Sequence, residues 1–536
     1  MNISEPFVLQ EIEHSASIRT VAHAPYNFVP LNKKEALVTL LIDDIPEGNK
    51  YHYQDRNTGW IDVTINTQTP LYIRGTLSET EVLSGKESTD KPDFFSPAGT
   101  VRIPGSSLRG MIRALVEIVS FGNFNIFDDK RLYYRAVADM SNLRDEYNNV
   151  MSNVFAGTLR KKGLHYYIRS SGNFEPMHQN TVSKLLGSKF KPFSFHRIKN
   201  NQKDGFIVIS GPMKRKQNEW WIDLPTGSPF QLNKKDIVDY QNDKNRSEDV
   251  PDLLKLAEIS DVPCFYAKWT DKDGLERTSF GHTKMFRLPY QHTIGEHVPH
   301  DNKTIDIPEA IFGNEKRFAG RVFFEDAHLV KDQTSIYLKE DYPKILSSPK
   351  PTTFQHYLVQ TTNEKKYLNH YNSPAPIRGY KLYWHKSGKN WKETGEVNKK
   401  LQSPIKPIRT GTKFKGCIRF ENLSNIELGA LLFALDLPPG CCHKLGMGKP
   451  LGLGTIHIQS DLYLSDRKKR YQHLFAERSL ELSDKKEGLI DEFDRYIREN
   501  IGANDIHNLW EHARMKELST LLNVQTGIHL EEKILI

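Results

Sequence analysis

Apolar and polar positions alternate over residues 60–65, with Ile61, Val63 and Ile65 on one side and Asp62 and Thr64 on the other. This two-residue period is that of a half-buried strand. Further on the period lengthens. Leu108, Met111/Ile112, Leu115 and Ile118/Val119 recur at helical spacing behind Ile103-Pro104-Gly105-Ser106-Ser107, where a serine side chain can cap the first turn. Residues 321–325 (RVFFE) and 416–420 (GCIRF) read as strands. Ser424 and Glu427 have capping-box spacing ahead of the apolar run 426–435, and 454–458 (GTIHI) reads as a closing strand. The order is strand, helix, strand, then strand, helix, strand. It predicts an α+β fold with a ferredoxin-like (RRM-like) core of antiparallel sheet plus helices, and such a sheet is a common platform for single-stranded RNA.

Two long stretches interrupt this pattern. Residues 1–124 are read as the first half of the core, 301–330 as a core strand segment, and 401–465 as the second half with a glycine-rich loop. Residues 125–300 and 331–400 are read as two large insertions, the second with the strand-like pieces TTFQHYLVQ and GYKLYWHK around a polar middle. In 466–536, Leu474, Leu480, Leu482, Leu489, Phe493 and Ile497 fall at helical spacing among charges, which predicts a C-terminal helical appendage.

The 536 residues are 38% hydrophobic and 26% charged, as in ordinary globular chains. Lys and Arg (74) exceed Asp and Glu (66) by 8, but the excess is local. Between 157 and 235 stand 15 Lys/Arg against Glu175, Asp204, Glu219 and Asp223, so the remainder is slightly acidic. Tyr166, Tyr167, Phe190, Phe193, Phe195, Trp220 and Trp221 are interleaved with this charge. Basic charge attracts phosphates and flat rings offer stacking faces to unpaired bases, although a solvated lysine-rich surface over an aromatic core gives the same composition. Four cysteines without a CxxC pair point to a reducing, cytoplasmic setting. The longest apolar stretch, 428–435, is far short of a membrane span, and the opening residues carry charge where a signal peptide is apolar.

Two segments suit anion binding. At the start of the helix behind Pro104, Ser106 and Ser107 join Arg109 and Arg113, which are four apart and share a face; an amphipathic surface helix with solvated arginines is the plainer alternative. In 439–454 (PGCCHKLGMGKPLGLG), Gly446, Gly448, Gly452 and Gly454 leave backbone bare, and Lys444 and Lys449 add charge. Turns also collect glycine, and no GK[ST] follows, so a Walker loop is not supported. Cys441-Cys442-His443 lacks the ligand gap that zinc sites favour, and no metal site is assigned.

PGSSLRGMIRALVE at 104–117, EAIFG with RVFFEDAHL at 309–329, and the late glycine-rich loop resemble the RAMP superfamily of CRISPR-associated proteins. APYNFVPL at 24–31 resembles a large-insertion branch found with type III systems, III-D in particular. The resemblance implies a guide-RNA-binding backbone subunit of a type III effector complex, a ribonucleoprotein that positions target RNA for antiviral defence. It implies crRNA, target RNA and other effector subunits as partners. Ser106, Ser107, Arg109 and Arg113 match the family's helix, and Gly446, Gly448, Gly452 and Gly454 its loop. Active members cut target RNA with a loop aspartate and a divalent metal. Asp93, eleven residues before Pro104, is the match by spacing, with Mg2+ as the implied ion; a solvated loop aspartate fits the spacing equally. Binding alone implies no cofactor. A guide-processing endonuclease with His23 as general base is the other enzymatic alternative.

Overall fold

The computed structural model describes residues 12–13, 21–22, 24–32, 39–40, 55–77, 79–85, 87, 91–199, 204–213, 215–244, 246–299, 304–315, 317–466, 472 and 480–531. His23 and Leu474 lie outside them. The chain forms two compact units. One is Met1–Ile126 with Pro299–Pro349 and Arg378–Ile536; the other is Phe127–Val298 with Lys350–Ile377. Both are mixtures of helix and antiparallel sheet.

The first unit is built on β1 (Asn57–Thr67), β2 (Arg102–Ile103), α1 (Gly105–Val119), β3 (Val322–Phe324), β4 (Ala327–Leu329), β5 (Lys413–Leu423), α2 (Asn425–Leu435), β6 (Thr455–Ser465), α3 (Lys486–Asn500) and α4 (Ala513–Leu522). The sheet runs β6–β1–β5–β4–β2, with β3 also on β5, and every pairing is antiparallel. The alternation in β1 does what its period demands: Ile61, Val63 and Ile65 are buried with Phe414, Ile418, Ile456 and Ile458. Leu108, Ile112 and Leu115 of α1 and Leu428, Leu431 and Leu432 of α2 belong to the same core.

The start of α2 follows from its sequence. The Ser424 hydroxyl accepts from the Glu427 N–H at 3.2 Å, and the Glu427 carboxylate accepts from the Ser424 N–H at 2.7 Å. The start of α1 does not. Neither serine caps it; the N-cap is Pro104, and the Gly105 N–H donates to the Asp326 carboxylate at 2.9 Å. A Cβ on Gly105 would overlap the Phe324 carbonyl. The PGSS and FEDA segments are thus two halves of one contact, with Glu325 and Asp326 forming the break between β3 and β4.

Three expectations about the later chain are corrected. Leu489, Phe493 and Ile497 of α3 are buried in the main core against α2, so this part of the C-terminal region is no separate appendage. Leu480–Leu482 is a strand on β6, not a helical turn. TTFQHYLVQ contains a short helix, Phe354–Tyr357, in the second unit, whereas Gly379–Tyr383 is a strand paired with Tyr26–Pro30 in the first. Residues 331–349 and 378–400 accordingly fold with the core strands.

The second unit holds a five-stranded sheet in the order Pro225–Gln231, His165–Ser171, Val154–Lys162, Val262–Thr270, Glu276–Gly281. A four-stranded sheet runs Phe174–His178, Asn218–Asp223, Asp204–Ile209, Ser194–Lys199. Much of the aromatic content of the basic segment is core: Trp221 is buried with Ile207 and Ile209, and Trp220 packs edge-on to Phe174 and Phe265.

Candidate nucleic-acid interface

The two segments picked out in the sequence behave differently once folded. On α1, Ser106 is exposed and Ser107 half-buried. The guanidinium of Arg109 turns inward, donating to the carbonyls of Phe312 at 2.7 Å and Val322 at 3.2 Å. Arg113 pairs with Glu117 at 3.3 Å. Both arginines stack over the Phe312 ring, at 5.3 and 5.8 Å. Burial pushes the Glu117 carboxyl up to about 7, against the pull of Arg113. The first helical N–H is already occupied by a carboxylate. This helix start is therefore a joint between α1 and the strands, and its arginines are largely spent on protein acceptors.

The glycine-rich loop is different. It leads into β6 at the end of the sheet formed by Thr67, Lys413 and Thr455, and all four glycines have positive φ. Gly452 and Gly454 are buried: a Cβ on Gly452 would meet the Lys386 side chain, and one on Gly454 would overlap the Leu445 carbonyl. Gly446 and Gly448 lie nearer the surface, on either side of exposed Met447. Several loop N–H groups are taken, Met447 to Tyr72 O at 2.8 Å and Gly454 to Pro70 O at 2.8 Å among them. Those of Gly446, Gly448 and Lys449 have no acceptor among the described residues. Bare N–H groups in a loop of left-handed turns form an anion-binding concavity.

Residues 71–75 join this loop to the Asp93 segment. Tyr72 O accepts from Met447 on one side; on the other, Gly75 N–H donates to Asp93 O at 3.0 Å and Phe95 N–H to Ile73 O at 2.9 Å. Two candidate segments far apart in sequence thereby flank one short stretch. The Asp93 carboxylate is half exposed, 3.9 Å from the Lys406 ammonium. Among the described residues no group of three or more His, Cys, Asp or Glu gathers. The side chains around Asp93 do not by themselves make a magnesium site.

Sequence reading named Lys444 and Lys449 but missed Lys386 behind the loop, and the pattern on the sheet. Lys386, 1% exposed, has an Nζ with no hydrogen-bond partner among the described residues, and burial brings it down to about 8, with Lys344 adding to the effect and Glu531 opposing it. Lys444, whose Nζ donates to Trp384 O at 3.1 Å, is brought to about 7, first by burial and then by Lys386 and Lys449. Lys449 is lowered by burial. Between about pH 7 and 10.5 the unfolded chain holds the Lys444 proton and the folded chain releases it, so stability rises with pH across that window. Lys444→Met is expected to flatten this rise and to stabilise the protein at pH 7. Urea unfolding at the two ends of the window reads it; an unchanged slope would refute the buried amine as its source.

The face of the sheet away from the helices is ordered in rows by register. Nearest the loop end lie His457, Asn66 and Lys413; next come Gln459, Thr64, Lys415, His328 and Arg102. Beyond them Asp461 stands opposite Asp62, whose pKa is raised by burial and by that neighbour. The last row is Tyr463, Trp60, Arg419 and Phe323, with the Trp60 and Tyr463 rings 5.6 Å apart. Basic charge thus gathers toward the end where the glycine loop sits. The acid row bounds it. The signal was present in sequence as the polar half of each strand's alternation, but only the register shows which polar residues meet.

An antiparallel mixed α/β unit with three unpaired loop N–H groups at one sheet end is what the geometry defines. The RAMP superfamily model matches residues 64–246 and 267–457, well over half of the chain, and the chain belongs to that superfamily. Among solved structures it is similar to a chain described as a CRISPR RNA-guided surveillance complex, pre-nicking. That likeness has 11% identity and a TM-score of 0.23, covering 82% of this chain and 89% of the other. No curated protein matches the sequence. Among the described residues no helix is long and apolar enough to cross a membrane.

Proposed function

We propose that the chain is a guide-RNA-binding subunit of a CRISPR ribonucleoprotein, of the type III backbone kind, helping to position target RNA. Its first unit is a ferredoxin-like, RRM-like core: β1, β3/β4, β5 and β6 stand in the order fourth, first, third, second. The observation that carries the reading is the placement at one sheet end of three unpaired loop N–H groups together with the exposed Lys413 and Lys415, beside Arg102, which also pairs with Asp326 at 3.8 Å. These groups meet phosphate oxygens and ignore base identity, as binding many guide sequences requires. The carboxylates of Asp62 and Asp461 on that face lie beyond the basic rows, which confines the backbone to the loop end.

The test is to co-express the chain with its genomic neighbours, purify it, and sequence the RNA that accompanies it. Repeat-derived guide RNA is expected. Lys413→Glu with Lys415→Glu should lower affinity at least about tenfold, evenly across sequences, with a shallower salt dependence. An RNA-free chain would overturn the reading. Asp93→Ala addresses cleavage separately: loss of metal-dependent cutting at unchanged affinity would make this subunit the ribonuclease, and unchanged cutting would remove Asp93 from that role.

A further inference from the structure

The second unit carries a basic surface that this reading does not use. In its five-stranded sheet Leu159 and Ile168 are fully buried on one face, under Leu253, Leu254 and Tyr240. Their neighbours point the other way. On that face Arg160 stands opposite Tyr167, Tyr167 opposite Gln231, Thr158 opposite Arg169, and Lys162 opposite His165. Farther along it Ala156 and Phe265 are buried in a second core, so the open part is the end toward the Lys162–His165 turn.

We propose that this open end, with Arg160, Lys162, Tyr167 and Arg169 at its centre, is a second contact for single-stranded RNA. Charge is the first argument. Arg160 and Lys162 make no ion pair among the described residues, while Lys161, on the opposite face, is paired with Glu258 at 2.6 Å. The four acids of the basic segment lie elsewhere: Glu219 is buried on Lys216, Asp204 pairs with Arg197, Asp223 accepts from the Trp221 ring N–H, and Glu175 is on the other sheet. None of them neutralises the cations of this patch.

Spacing is the second argument. Arg160 and Lys162 are two apart on one strand, roughly 7 Å, with Arg169 on the strand beside it. This suits successive phosphates of an extended strand better than a compact anion. Tyr167 supplies a ring between them, its hydroxyl held by Gln231 at 3.4 Å, and Gln231 is held in turn by His165 at 3.1 Å. Cations that track a backbone around an aromatic are the arrangement by which proteins hold single strands without reading sequence. The Arg169 Nε donates to Gly227 O at 2.9 Å, which orients its remaining donors.

The inference rests on the reading that this chain handles RNA, and the experiment separates the two. Full-length protein is titrated with a fluorescent uridine RNA of about thirty nucleotides, long enough to span more than one site. Arg160→Glu with Arg169→Glu, one at a half-buried and one at an exposed position, is expected to weaken binding about fivefold and to reduce the salt slope by roughly 0.7 for each phosphate no longer neutralised. In the unaltered protein, 4-thiouridine is expected to crosslink within 160–169. If that variant binds like the parent and crosslinks fall only in the first unit, the second contact is refuted while the first stands. If the parent binds no RNA, both readings fall.

Discussion

Replacing Glu427 with alanine is expected to remove about 3–5 kcal/mol from the stability of the first unit, the cost of leaving a buried cation without its partner. The Glu427 carboxylate is 1% exposed and serves three donors: the Ser424 N–H, Arg56 at 3.2 Å, and Arg321. Arg321 is itself buried and reaches the carbonyls of Ala310 and Asn422, which share its donors without balancing its charge. Ser424→Ala, which removes only the cap, should cost about 1 kcal/mol. Glu427→Gln should fall between, keeping a cap acceptor and losing the charge. Urea unfolding of the three variants orders these effects. Equal losses for Ser424→Ala and Glu427→Ala would mean that the ion pair contributes nothing beyond the cap.

Gly454→Ala should be nearly as severe, at about 3 kcal/mol, because two penalties add. Its φ of +83° costs an L-residue about 1 kcal/mol, and the new methyl would overlap the Leu445 carbonyl, an overpacking term of about 1–3 kcal/mol. Gly411→Ala is the control. It has the same sign of φ, at +84°, with nothing within 4 Å of the added carbon, so it should cost only the first term. The Gly454 variant should also lose RNA affinity at temperatures where it remains folded, since Leu445 N–H donates to Gly454 O at 2.7 Å and fixes the loop mouth. Equal stability of the two variants would show that the loop yields to the methyl.

What could be read in the sequence was whatever is encoded locally. The alternation of β1, the box at Ser424 and Glu427 and the turn-forming glycines are contacts between near neighbours, and the strand–helix order follows from them. What could not be read depended on distant partners. A serine of the PGSS segment looked like the cap because the true acceptor, Asp326, lies 221 residues from the Gly105 N–H that it receives. Arg109 and Arg113 looked free because Phe312 and its carbonyl are contributed by a different segment. Lys444 carried the right charge in the right loop, but it is half-buried and its ammonium is turned onto the Trp384 carbonyl. Conversely Lys413, Lys415 and Arg102 were unremarkable in sequence and became a cluster only through strand register.

The order of the sheet also sets a timetable for synthesis. Both neighbours of β1 are made last: β5 begins at Lys413 and β6 at Thr455. The central strand therefore leaves the ribosome with its edges unpaired, and α1 waits for Asp326. The second unit, whose main segment Phe127–Val298 is largely continuous, can collapse around its own cores in the meantime. Its early folding shortens the effective loop that the first unit must later close, so a domain that interrupts the core in sequence would hasten the core's assembly in time.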